Sequence, residues 1–408
     1  MKAGLATFLI AIHSLALGQS SAPVNSVDSS REPAVKWKLK TQGPVIGAPV
    51  IRENTAYVGG LDSTLYAINV NTGTAIWKVK LNGVIRSTPC LGTNQLYVMG
   101  GDAILHAFDP TTGKRLWQFR TLGGILGERR YDFADYFHSS PRLHNNTLYV
   151  GSGDGRVYAL KADTGDLLWS YQTGDIVHTT PAIQNDRLFV GSLDGYLYAL
   201  NTHTGALIWK FKSVGHRYFP KGEMQGLPVV GNGLVYIGSR DYNLYALDAQ
   251  AGYGHWTKSF PLGWATTLTV RDSVLYIGTS DDRLLAAVDG RTGRELWRIN
   301  TQFNIFGGMA FSAATGYFGT LMGKVFSIDL KTGAVRWTFT TDGYRQNRDR
   351  YFKPDDTFRA DIGSIIRVPE DFLQLYYRMG AIFSAPTLSG KQLFIGSADG
   401  TIYCLEEK

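Results

Sequence analysis

Along almost the whole chain, short stretches alternate apolar and polar side chains with a period of two. Leu148-Tyr149-Val150 and Val157-Tyr158-Ala159-Leu160 are two such stretches, and this is the period of half-buried strands. Between them Asp154-Gly155 supplies a dipeptide that tolerates positive φ, as a tight hairpin requires. Thr164-Gly165 makes the next turn, and Leu167-Leu168-Trp169 opens a further strand. One more strand precedes each unit, entered through a Ser/Thr-Pro step such as Ser87-Thr88-Pro89, Ser139-Ser140-Pro141 or Thr179-Thr180-Pro181. Four short antiparallel strands in about forty residues make one blade of a β-propeller.

The tryptophans fix the repeat. Trp37, Trp77, Trp117, Trp169, Trp209, Trp256, Trp297 and Trp337 are separated by 40, 40, 52, 40, 47, 41 and 40 residues, and only Trp264 stands off the series. A tryptophan repeated at one place in every blade is expected to pack between neighbouring blades rather than stack a ligand. Hairpin modules fall at 57–69, 97–109, 148–163, 188–201, 235–248, 275–289, 317–329 and 393–405, so the blades number eight. The eighth module runs out before a tryptophan strand, whereas Trp37 precedes the first module with no inner strands of its own. The pattern therefore predicts an all-β, eight-bladed propeller of four-stranded antiparallel blades over 35–408. Strand 35–40 completes the last blade, which leaves no open ends to the array.

Composition adds the compartment. Lys2 followed by the apolar run Leu5–Leu17 and the small residues Ala16 and Gly18 reads as a cleavable export signal over 1–18, followed by a linker over 19–34. The run is too short for a comfortable membrane span, no other long apolar stretch exists, and Gln19 stands where a lipoprotein would need cysteine. A periplasmic or secreted, monomeric protein without a transmembrane segment is expected. Cys90 and Cys404 fall in different repeats and are expected as buried free thiols. A net charge of +7 speaks to solubility and not to nucleic acid.

The text Asp-Gly-x-Leu-Tyr-Ala-Leu-Asp-x-x-Thr-Gly-x-x-x-Trp, closely copied in Gly155–Trp169 and Gly195–Trp209, resembles the repeat of the pyrroloquinoline-quinone-like propellers. The resemblance spans 35–408. It implies one of two functional classes: quinone- and Ca²⁺-dependent dehydrogenases, or a non-enzymatic BamB-like branch that serves outer-membrane protein assembly. The enzymes of the family stack a disulfide of adjacent cysteines on the quinone, and this chain has no Cys-Cys pair and no Cys-x-x-Cys-His. A calcium site needs several converging oxygens, whereas Asp62, Asp154, Asp194, Asp241, Asp281 and Asp399 are read as hairpin-turn residues. No catalytic constellation is legible, so the reading is a non-enzymatic scaffold without cofactor that binds a protein partner of the envelope or outer membrane. The alternatives are a dehydrogenase using PQQ with Ca²⁺, or a sensor of a small ligand or glycan.

Function in a repeat protein is expected where the repeat is broken. The connections 121–137, 212–224 and 341–382 depart from the pattern, and all three join a tryptophan strand to the next blade, so they share one face. In the longest, Pro369 suits a helix start, Glu370 and Asp371 its first turn, and Gly380 its stop. That segment carries seven basic and seven acidic residues, which again argues against nucleic acid. Arg129, Arg130, Tyr344, Arg348, Tyr351, Phe372, Tyr376 and Tyr377 form the candidate partner surface, since aromatics and arginine are enriched at protein contacts. A lid over the channel is the competing reading of the same segment. The residues entering successive innermost strands from the second blade read Arg86, His138, His178, Gln225, Ala265, Gly307, Phe383. Arg86, His138, His178 and Gln225 are thus candidates for an anionic or carbonyl-bearing ligand at the channel mouth, and two histidines without a third ligand do not suggest zinc.

Overall fold

The computed structural model describes residues 32–122 and 139–407. The expected export signal, most of the linker, Arg129, Arg130 and His138 lie outside the described residues. Eight four-stranded antiparallel sheets are present, seven of them simple meanders in chain order. The eighth takes Thr387–Ser389, Gln392–Ser397 and Thr401–Glu406 from the end of the chain and Ala34–Lys40 from its beginning. Trp37 pairs with Cys404 and Lys40 with Thr401 across that seam, so the ring closes as the sequence pattern predicts.

Burial follows strand position. The two middle strands of each blade are buried on both faces, as in Leu188–Gly191 and Leu197–Leu200, while outer strands such as Leu207–Lys212 alternate half-buried and exposed. The repeated tryptophans hold blade to blade. Trp169 Nε1 donates to Thr202 O at 2.9 Å, Trp77 Nε1 to Pro110 O at 3.0 Å and Trp297 Nε1 to Leu330 O at 3.0 Å, each in the following blade. Each ring lies against the turn glycine of that blade. At Gly205 a Cβ would come within 2.6 Å of the Trp169 ring, and its φ of +70° also favours glycine.

A second repeated device pins the hairpins. The turn aspartate accepts a bond from a tyrosine four residues on, in the pairs Tyr66–Asp62, Tyr158–Asp154, Tyr198–Asp194, Tyr245–Asp241 and Tyr403–Asp399, at 2.5–3.2 Å. These aspartates are turn residues as expected, and Asp281 also lies in its hairpin turn, though without the tyrosine latch. The hairpin of blade six is one residue longer: Gly278 pairs with Leu285 where its counterpart Gly191 pairs with Leu197. Asp282 takes the turn position and accepts from Gly263 N at 2.9 Å, as Asp194 does from Gly174 N at 2.8 Å. Asp281 is the extra residue. Both cysteines are free, Cys404 buried and Cys90 only half-buried. Among the described residues no helix is long and apolar enough to cross a membrane.

The channel mouth and its lid as candidate functional site

Segment 341–382 folds into three helices: α1 (Asp342–Tyr351), α2 (Ile362–Ile365) and α3 (Pro369–Met379). Pro369 opens α3, and Gly380 ends it at φ +69°, where the sequence places both. Asp371 accepts from the amides of Arg367 and Val368 at 2.8 and 3.1 Å, which satisfies two donors ahead of the helix. Helix α1 has no apolar stripe to announce it. Thr341 caps it by accepting from Tyr344 N at 3.2 Å, and Asp342 sits in its positive first turn.

The helices pack over the mouth of the channel as a lid. Leu375 and Met379 of α3 are fully buried in one cluster with Ile46, Phe303, Phe306, Leu321, Phe383 and Ala398. Tyr376 lies edge-on to Phe303 and to Phe383, with ring centroids 6.2 Å away in each case. A half-buried ionic knot fixes the other end. The Asp356 carboxylate meets the Lys324 ammonium of blade seven, accepts from Tyr344 OH at 2.7 Å and from Arg348 Nε at 3.0 Å. Burial alone would raise the Asp356 carboxyl, but Lys324, Tyr344 and Arg348 outweigh it and hold it below the usual carboxylate range.

The seat of this lid explains which mouth residues are polar. Ile85 N, Val177 N, Met224 N, Ile305 N and Ile382 N each donate to a hairpin carbonyl of the preceding blade at 3.0–3.1 Å. The residue after each faces the same position: Arg86, His178, Gln225, Phe306 and Phe383, with Ile46 following Val45 in blade one. Blade seven therefore contributes Phe306 and not Gly307; the paired glycines that follow blur the register in the sequence. Blades seven, eight and one form an apolar arc of Phe306, Phe383 and Ile46, and the lid rests there. Blades two, four and five form a polar arc of Arg86, His178 and Gln225.

Sequence reasoning missed the rest of the polar arc. Arg240 stands where the equivalent hairpins carry Leu61, Leu193 and Leu321, and its backbone N donates to Glu223 O as Leu193 N does to Ile176 O. A charge in a leucine position of the repeat is the signal that was available. Arg240 is buried, with its guanidinium 4.2 Å from the Phe219 ring and 5.2 Å from that of Trp264, a cation–π stack that gives the off-series tryptophan its place. Gln225 is 5% exposed, and among the described residues neither amide atom meets a hydrogen-bond partner, nor does Glu223 Oε2. Such buried orphans cost about 1–3 kcal/mol each. Burial lifts the Asp281 carboxyl above its ordinary range, with Arg283 opposing and Asp282 adding to the rise. Burial pushes the Tyr376 and Tyr377 hydroxyls up, with Asp281 adding to the rise at Tyr376 and Arg86 opposing it at Tyr377.

The candidate partner residues are distributed accordingly. Tyr351 is buried, Tyr344, Phe372, Tyr376 and Tyr377 are half-buried against the lid cluster, and Arg348 is committed to Asp356 and Asp349. The surface the lid exposes is instead charged, with Arg345, Arg350, Arg359 and Arg367 outward. Among the described residues no three imidazole, thiol or carboxylate groups gather as a metal site.

A family model described as outer membrane protein assembly factor BamB matches residues 24–134, 101–223 and 195–353. BamB from Moraxella catarrhalis is similar in structure, with TM-score 0.66 and 17% identity over 92% of this chain and 98% of that one. The computationally designed Ika8 protein gives TM-score 0.69 at 16% identity, covering 92% of this chain and 99% of that one. Quinohemoprotein alcohol dehydrogenase from Comamonas testosteroni gives 0.68 at 14%, over 95% of this chain and 78% of that one. At these identities the structural likeness is one of fold. Curated protein sequences contain no match. Taken with the eight blades and their repeat, the family match places this chain in the BamB family of PQQ-repeat β-propellers.

Proposed function

We propose that this chain is an exported, non-enzymatic scaffold that holds a protein partner on its lid-bearing face during assembly of outer-membrane proteins. The observation that carries the reading is the match to the BamB family across residues 24–353. The packing of Leu375, Met379 and Tyr376 on Phe303, Phe306 and Phe383 supports a scaffold, because the apolar face of the lid is taken up by the protein's own core. The contacts to a partner come from the exposed arginines of the lid, since its aromatics are turned into the molecule. Removing 341–382 outright would uncover Phe306 and Phe383, so charge reversal is the cleaner test. Affinity capture from the protein's own envelope should recover a specific partner with the natural chain and lose it with Arg350→Glu and Arg367→Glu. An unchanged capture profile would overturn the reading.

The orphaned Gln225 amide favours a second role for the same face, with a carbonyl-bearing or anionic ligand meeting Arg86, His178 and Gln225. Arg86→Ala with His178→Ala should then abolish binding of such a ligand, and normal binding would end the idea.

A further inference from the structure

We propose that the cleft at the seam where the ring closes binds an acidic peptide segment of a protein partner. The inference rests on the scaffold reading above and supplies the chemistry of one docking segment. The cleft measures about 790 Å³ and opens between the end of the closing strand, the hairpin of blade eight, and helices α1 and α3. That is within the size range of ordinary ligand clefts.

Charge decides the occupant. The two acids of the cleft are already engaged. Asp342 pairs with Lys38 at 2.6 Å. Asp399 accepts from Gly343 N at 3.0 Å, Thr401 N at 2.9 Å and Tyr403 OH at 3.2 Å. Two exposed cations on the lining remain without a carboxylate among the described residues, Lys40 and Arg378. Lys40 Nζ bonds the Asp399 carbonyl and Thr401 Oγ1, neutral oxygens and not a carboxylate. Arg378 stands in the last turn of α3. The side-chain amides of Gln42 and Gln346 flank the same space. Three cations against two carboxylates leave the lining one positive charge in excess, and with the amides beside them Lys40 and Arg378 suit carboxylates spaced along an extended chain.

The Lys40 position also has a repeat-wide structural task, and that task provides the control. Lys80 bonds the carbonyl of Asp62 in the same way but lines no such cleft. In blade three the position is Gln172, whose Nε2 donates to Asp154 O at 3.3 Å. Lys40→Gln therefore keeps the structural bond and removes only the charge.

The test is fluorescence anisotropy with labelled deca-glutamate, and a Gly-Ser decapeptide as the neutral probe, at low and moderate salt. The natural protein should bind deca-glutamate in a salt-sensitive manner and ignore the neutral peptide. The Lys40→Gln/Arg378→Gln double variant should bind at least about tenfold more weakly, and Lys80→Gln should change binding less than about twofold. Absent binding, an unaffected double variant, or an equal loss in Lys80→Gln would each overturn the proposal. If the envelope partner is still captured by the double variant, the cleft proposal falls and the scaffold reading stands. If capture is indifferent to the lid arginines as well, both fall.

Discussion

Trp37 Nε1 donates to the carbonyl of Val70 at 2.7 Å, and this bond joins the strand that completes blade eight to the turn of blade one. The Trp37 ring also lies against Gly73, where a Cβ would come within 2.6 Å. The contact between first and last blades thus repeats the one between any two neighbours.

Trp37→Ala should destabilise the protein by about 3–5 kcal/mol, as loss of a buried tryptophan does. Urea unfolding followed by tryptophan fluorescence checks the size. A loss no greater than that of an exposed substitution would mean that strand 34–40 does not close the ring.

The Lys324–Asp356 pair should be what holds the lid down. Asp356→Asn leaves a half-buried ammonium without its partner and should cost about 1–2 kcal/mol, between the surface and buried-pair values. Its folded carboxyl is lowered, so its contribution is complete above the ordinary carboxylate range. It is lost as pH falls through the folded value. Limited proteolysis between residues 352 and 368 should accelerate in Asp356→Asn at neutral pH, and in the natural protein only under acid.

Asp281 should behave in the opposite sense. Its carboxyl is raised in the folded state, so folding opposes its ionisation and stability falls as pH rises through the folded value. Asp281→Asn should raise Tm at neutral pH, and the gain should vanish at pH 4. A variant that melts lower at pH 7 would show that the carboxylate is held by a partner instead.

Blade two offers a test of the Tyr–Asp latch. His106 replaces the tyrosine, is 2% exposed, and approaches Asp102 only to 3.4 Å with neither ring nitrogen hydrogen-bonded. His106→Tyr should stabilise the protein by about 1 kcal/mol by restoring the bond the other blades make. Tyr198→Phe should cost about the same. Differential scanning calorimetry of the two variants reads both signs.

The repeat made most of this architecture legible. Blade number, closing strand and tryptophan contacts all follow from a spacing that strands and turns must keep. Helix α3 was legible because Pro369 and Gly380 mark its ends chemically. Helix α1 was not, since Asp342-Gly-Tyr-Arg-Gln-Asn-Arg-Asp-Arg-Tyr351 has neither an apolar stripe nor strong propensity. The mouth was half legible: Arg86, His178 and Gln225 do share one position. Gly307 for Phe306 was a one-residue slip, at a pair of glycines. Backbone bonds decide such registers, and side-chain identity does not. The aromatics of 341–382 were visible, but not that Leu375 and Met379 would turn them inward.

The pairing of Ala34–Lys40 with Thr401–Glu406 sets an order of events in the life of the molecule. Synthesis delivers the first strand about 360 residues before its partner, a separation that makes the pairing slow. Until the last strand emerges, the first must wait unpaired, with its backbone open to any other edge. The ring is thus sealed only once Thr401–Glu406 has been made, and loss of that strand would leave Ala34–Lys40 without its partner.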